Sequence, residues 1–157
     1  MEKIAIFVDV QNIYYTTRQQ YHQQFNYKAF WAKATKNKQV VAAFAYAIDR
    51  GDAKQRGFQN TLKNIGFQIK LKPYIQRKDG SAKGDWDVGI TLDVIELAAT
   101  VDTIILLSGD GDFDLLLHKA RQVYKTKSIV YGVNALTAPS LINSSDQFIA
   151  IGNELLM

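Results

Sequence analysis

Two short apolar runs, each closed by a carboxylate motif, constrain this chain most. Residues 3–9 contain Ile4-Ala5-Ile6-Phe7-Val8 and end on Asp9, while residues 103–108 contain Ile104-Ile105-Leu106-Leu107 and lead into Ser108-Gly109-Asp110. Neither run alternates apolar with polar residues. A strand of that kind is buried on both faces, as in a parallel sheet with helices on each side. Residues 39–48 and 128–132 read as further buried strands, and residues 67–72 alternate as a half-exposed one. Helical patterns at 27–37, 52–64, 86–99, 112–124 and, more briefly, 137–143 separate them, with Gly66 closing the second. Pro73, Asp79-Gly80 and Gly84 mark residues 73–84 as a loop or hairpin. The expectation is one domain over residues 1–157, a three-layer α/β/α sandwich around a mostly parallel sheet. Ligands of such sheets bind beyond the carboxyl ends of the strands, where Asp9 and Asp110 fall.

The charge of the chain is segregated. Its net value is only +4, but residues 13–84 hold fourteen Lys and Arg against three acids, and residues 85–114 hold eight acids with no Lys or Arg. Clustered carboxylates repel one another unless a cation lies nearby, and a basic surround attracts a polyanion. The absence of cysteine excludes a disulfide framework, a Cys-based zinc site and a cysteine nucleophile. Two histidines, His22 and His118, are too few for a His-rich metal site. No signal-peptide pattern opens the chain and no apolar run is long enough to span a bilayer, so the expected location is cytoplasmic, without membrane.

Three acidic groups stand at the ends of elements. Asp9 closes the first strand, with Asn12 three residues on; helix capping is the plain alternative role for both. Ser108-Gly109-Asp110-Gly111-Asp112-Phe113-Asp114 follows the most apolar strand. It is not a calcium loop of the EF-hand kind, because Leu115 and Arg121 occupy the positions that require Gly and Glu. Asp114 suits a helix N-terminus, where acids complement the dipole. In Lys83-Gly84-Asp85-Trp86-Asp87-Val88, Asp85 reads as a helix cap and Asp87 as a candidate ligand. Farther along that helix, Asp93 lies close to Leu97 on the wheel, and a carboxylate in apolar surroundings is costly unless paired or bound to a cation. Val88, Leu92, Ile95 and Ala99 form one apolar stripe, and Ile90, Val94 and Leu97 a second, so both sides of the helix are expected to be covered. If Asp9, Asp87 and Asp110 meet at one sheet edge, their hard oxygens suit Mg²⁺ or Mn²⁺ and in-line hydrolysis of a phosphodiester.

Phe7-Val8-Asp9-Val10-Gln11-Asn12, then Lys83 to Val88 with Asp93, then Ser108 to Phe113, resemble the three motifs of the NYN domain. This is a PIN-like nuclease family, and the bacterial LabA-like branch is the nearest match. The resemblance spans about residues 3–133. It implies a PIN-like, Rossmann-like fold and a divalent-metal-dependent ribonuclease centre, endonucleolytic rather than exonucleolytic. By the same resemblance, Asp9, Asp87 and Asp110 take the acidic catalytic and metal positions. Asp93 and Asp112 become further acidic candidates, and Asn12 and Ser108 polar supporting residues. The chain departs from the family where Asp114-Leu115-Leu116 replaces a Val-Pro-Leu type continuation, which bears on how the following helix begins.

On the substrate side, Lys70, Lys72, Arg77, Lys78 and Lys83 are interleaved with Tyr74 and Trp86 before the Asp87 motif. Cations that hold phosphates beside aromatics that stack bases suit single-stranded RNA, with Lys72, Arg77, Lys78 and Lys83 as the expected contacts; a solvated hairpin is the plain alternative. Tyr14, Tyr15 and Tyr21 are expected in the core or an interface, and His118 on the surface. No RNA-binding segment is expected beyond the fold, so selection of RNA is expected from the domain itself or a partner; a homodimer is left open. The competing function is a non-catalytic RNA-binding or regulatory module. A haloacid-dehalogenase-type phosphatase is disfavoured because Gln11 stands where a second acid is needed, and a dinucleotide-binding fold because no G-x-G-x-x-G follows a strand.

Overall fold

The computed structural model describes residues 1–73, 75–76, 82–83 and 85–157, with the side chains of residues 73–84 excluded. In chain order the elements are β1 (Glu2–Asp9), α1 (Val10–Tyr21), α2 (Tyr27–Thr35), β2 (Lys38–Asp49), α3 (Ala53–Ile65), β3 (Gln68–Pro73), β4 (Ile75–Gln76), β5 (Ala82–Lys83), α4 (Asp87–Ala98), β6 (Thr103–Leu107), α5 (Asp114–Tyr124), β7 (Lys127–Gly132), α6 (Pro139–Ser144) and β8 (Gln147–Ala150). Six of the strands form one sheet in the order β3-β2-β1-β6-β7-β8, parallel throughout. The other two pair antiparallel, Ile75 opposite Lys83, as a hairpin requires.

Alternate residues of β1 go to opposite layers, which is why its sequence shows no polar face. Ile4, Ile6 and Val8 pack with Ile13, Phe30 and Leu62 from α1, α2 and α3. Ala5 and Phe7 pack with Ile90 and Val94 of α4, Leu116 and Leu117 of α5 and Leu141 of α6. Each large buried side chain contributes about 1.5–3 kcal/mol relative to exposure. This is the expected α/β/α sandwich. No helix among the described residues is long and apolar enough to cross a membrane.

Two elements go beyond the sequence reading. Residues 10–21 form α1, started by Asp9, whose carboxylate accepts the Asn12 N–H at 3.4 Å. Its buried stripe is thin, Val10, Ile13 and Thr17, so the helical period is faint in the sequence. The Thr17 hydroxyl is satisfied by the Ile13 carbonyl at 2.7 Å. The sixth strand, β8, has only four residues at the sheet edge. Gly66 does end α3: its φ is +142°, and a Cβ there would lie 2.6 Å from the Trp31 ring. Of the two apolar stripes of α4 the first, expected to be covered, is not fully so. Ile90 and Val94 are buried, whereas Val88 and Leu92 remain exposed.

Candidate active site at the carboxyl edge of the sheet

β1 and β6 are neighbours in register, Val8 beside Leu107. From β1 the sheet grows one way through β2 and β3; from β6 it grows the other way through β7 and β8. The carboxyl ends of β1 and β6 therefore flank the point where the winding reverses, which is where ligands of open parallel sheets bind. Asp9 ends β1 at this point, and Ser108-Gly109-Asp110 follows β6.

Hydrogen bonds lock these two segments together. The Ser108 hydroxyl donates to Asp9 Oδ2 at 3.2 Å, and the Gly109 N–H donates to Asn12 Oδ1 at 2.9 Å. Ser108 Oγ accepts the Asp110 N–H at 3.1 Å, and Asp110 Oδ1 accepts the Asp112 N–H at 2.9 Å. The glycines are fixed by close packing from residues 134–140. A Cβ on Gly109 would lie 2.8 Å from the Leu136 carbonyl oxygen, and one on Gly111 2.8 Å from the Ala138 methyl. Asp114 opens α5, where its charge meets the positive end of the helix dipole.

Asp87 is the first residue of α4, which carries it to the same edge. Asp87, Asp110 and Asp112 offer carboxylate oxygens that all lie within 4.8 Å of one another. Burial pushes Asp87 up to about 7, helped by a hydrogen bond with Asp110 and by the charges of Asp110, Asp85 and Asp9. Burial likewise pushes Asp9 up to about 6; its bonds from Asn12 and Ser108 oppose this, and the charges of Asp110 and Asp85 add to it. Among the described residues neither Asp9 nor Asp87 has a Lys or Arg ion-pair partner, and burial with neighbouring carboxylates makes both resist ionisation. The donor set is all hard oxygen, as Mg²⁺ and Mn²⁺ prefer. Two oxygens about 2.1 Å from one Mg²⁺ lie at most about 4.2 Å apart, so the observed spacing closes on a cation with side-chain adjustment alone. The residues fit a divalent ion.

Among the described residues the closest carboxylate grouping includes two of the three expected acids and Asp112. The three converging carboxylates are Asp87, Asp110 and Asp112, and Asp9 stands beside them, tied to Asn12 and Ser108. Asp93 does not join them. It accepts the Tyr46 hydroxyl at 2.8 Å and the Lys70 ammonium at 2.6 Å, so its charge is already answered within the fold. Burial, and then Asp93, hold the Tyr46 phenol well above its ordinary value. Asp85 is not the cap of α4: Trp86 occupies that position, without a side-chain cap bond. Asp85 is exposed, and its charge acts on both Asp9 and Asp87. The repeat of acids two apart in Asp85-Trp86-Asp87 was the available signal for this.

The described cations of the basic stretch, Lys70 and Lys72, make contacts within the fold. Lys70 is held by Asp93 and lies 4.2 Å from the Phe44 ring centroid. Lys72 sits 4.5 Å from the Trp86 ring centroid and donates to the Asp85 carbonyl at 3.2 Å, bracing the approach to α4. Trp86 is a packing residue rather than an open stacking surface. Its indole N–H donates to the Ala47 carbonyl at 2.9 Å, and its ring covers Gly89, where a Cβ would lie 2.6 Å away. Tyr74, Arg77 and Lys78 lie outside the described residues, as does the Lys83 side chain. Tyr14 and Tyr15, expected to be covered, are exposed; Tyr21 donates to the Ile151 carbonyl at 3.0 Å. His118 is on the surface.

Comparison with known proteins agrees with this architecture. A crystal structure of a Vibrio parahaemolyticus protein of unknown function superposes with a TM-score of 0.95 at 58% identity, covering 99% of this chain and 96% of that one. The Low amplitude and bright protein LabA of Synechococcus elongatus is 27% identical over 166 residues, covering 96% of this chain and 84% of LabA. The NYN domain family model matches residues 3–152, and motifs, fold and match together make this chain a member of the NYN domain family.

Proposed function

We propose that the chain is a divalent-metal-dependent ribonuclease that cuts single-stranded RNA internally. The observation that carries this reading is the convergence of Asp87, Asp110 and Asp112 within 4.8 Å at the point where the sheet reverses its winding. These three residues would hold Mg²⁺ or Mn²⁺, which when bound supplies an acidified water and charge stabilisation at a phosphate. Asp9 is held by the Asn12 N–H and the Ser108 hydroxyl, with a proton affinity near neutrality. It is suited to take the proton as the water oxygen bonds to phosphorus and the P–O bond to the leaving ribose breaks. Gly109 and Gly111 let residues 134–140 pack against the turn, so the acids are presented by a rigid backbone.

The test is cleavage of an end-labelled, unstructured RNA by purified protein with Mn²⁺ or Mg²⁺, with an EDTA control and Asp110→Asn alongside. The expected result is internal cutting that EDTA stops and Asp110→Asn reduces on the order of a hundredfold or more, since a neutral amide holds a hard cation poorly. Full cleavage in EDTA, or by Asp110→Asn, overturns the reading. Metal-dependent RNA binding without cleavage of any RNA instead supports the non-catalytic module.

A further inference from the structure

We propose that the solvent face of α1, built from Tyr14, Tyr15 and Arg18, is a stacking subsite for bases of the RNA strand, on the helix that Asp9 caps. The proposal rests on the ribonuclease reading and adds to it where the substrate lies. α1 starts at Asp9 itself and buries Val10, Ile13 and Thr17. Outside that stripe Tyr14, on its flank, is 47% exposed and Tyr15, opposite it, 49%, although each ring carries a large apolar surface. Tyr14 and Tyr15 follow Asp9 by five and six residues, about 8–9 Å along the axis at about 1.5 Å per residue.

The two rings are held rather than loose. Their centroids are 5.4 Å apart at an interplanar angle of 72°. The Arg18 guanidinium lies 5.8 Å from the Tyr14 centroid and donates to the Tyr14 hydroxyl. Rings so inclined present two separate surfaces, which suits successive bases that have left a continuous stack. Arg18 places a cation where a phosphate would pass. The helix contains no acid, and Gln19 and Gln20 complete its exposed side with neutral donors and acceptors. A solvated helix usually carries charges of both signs on that side; this one offers an anionic strand no repulsion. Other aromatic and cationic groups among the described residues are engaged within the fold. Trp86 is committed to Ala47 and Gly89, Lys70 to Asp93, and Phe58 meets Tyr27 edge-on with centroids 5.7 Å apart. Sequence-tolerant stacking on aromatic rings is how single strands are commonly gripped.

The experiment compares the wild type with Tyr14→Ala/Tyr15→Ala and Tyr14→Phe/Tyr15→Phe. RNA affinity is read by fluorescence anisotropy in an Asp110→Asn background, with a single-stranded RNA and an abasic strand of the same length. Steady-state cleavage is then read with the otherwise wild-type proteins. The alanine pair is expected to weaken binding of the base-bearing strand about tenfold or more. It leaves the abasic strand unchanged and raises KM while kcat stays. The phenylalanine pair keeps wild-type affinity, because stacking needs the ring and not the hydroxyl. Equal affinity of the alanine pair and the wild type for base-bearing RNA overturns the proposal, as does an equal loss on the abasic strand. A changed oligomeric state with unchanged RNA affinity overturns it too, in favour of a protein contact. If the wild type cleaves RNA while the alanine pair behaves identically, only the subsite falls. If the wild type neither binds nor cleaves RNA with Mn²⁺, the ribonuclease reading falls and the subsite with it.

Discussion

Asp87 and Asp93 stand on one helix, less than two turns apart, and live in opposite electrostatic settings. Asp93 faces the sheet, where the Lys70 ammonium at 2.6 Å and the Tyr46 hydroxyl at 2.8 Å answer its charge. Asp87 faces the carboxyl edge, where its neighbours are Asp110, Asp85 and Asp9, and its pKa is driven up to about 7. The same residue type thus does two jobs. An acid with a cation of its own fastens α4 to β2 and β3. An acid surrounded by acids is, on the proposed reading, the one that a cation would join. The second arrangement stores repulsion, and the first holds in place the helix that presents it.

The largest effect that would break this contrast is catalytic. Asp87→Asn should abolish metal-dependent RNA cleavage, on the order of a hundredfold or more, with the fold intact. Asp93→Asn should leave most of it, within about tenfold, since it weakens an anchor rather than a ligand. Comparable losses in cleavage assays of the two variants would erase the distinction. Thermodynamic stability should reverse the ranking. Asp93→Ala removes the partner of a half-buried Lys70 and of the buried Tyr46 hydroxyl, and should cost about 2 kcal/mol in chemical denaturation. Asp87→Ala should cost nothing measurable, or stabilise the metal-free protein by relieving repulsion.

A smaller effect follows from pH. Asp9 and Asp87 have folded pKa values raised to about 6 and about 7. The folded state therefore binds more protons than the unfolded one between about pH 4 and pH 7. Stability of the metal-free protein should then fall as pH rises through that window, by about 1 kcal/mol after allowing for solvent screening. Asp87→Asn should flatten the profile, and Asp93→Asn should not. Urea titrations at pH 5 and pH 8 in EDTA check this; a stability rising with pH would contradict the sign. Smallest is the effect of the basic stretch. Replacing Arg77 and Lys78 should reduce the slope of log affinity against log salt by about 1.4, at about 0.7 for each phosphate contact on a single strand.

How far these settings could be read from the sequence depends on what creates them. The sandwich was legible because β1 and β6 are apolar on both faces, and that pattern has few other solutions. Asp9, Asp87 and Asp110 were legible because each stands at the end or start of an element. The pairing of Asp93 with Lys70 and Tyr46 was not, since it depends on β2 and β3 lying side by side under α4, a matter of strand order. The same holds for Trp86, whose indole is spent on the Ala47 carbonyl of β2. α1 escaped notice because three buried residues make too weak a period, and with it the exposure of Tyr14 and Tyr15.

Which acids take a cation is read directly by Mn²⁺ binding measured by titration calorimetry at pH 7.5. Wild type and Asp93→Asn should both bind Mn²⁺, with affinities within a few-fold of each other, while Asp110→Asn and Asp87→Asn should lose the heat of binding. Undiminished binding by Asp110→Asn and Asp87→Asn, or loss on replacing Asp93 with the fold intact, would contradict the assignment of the site.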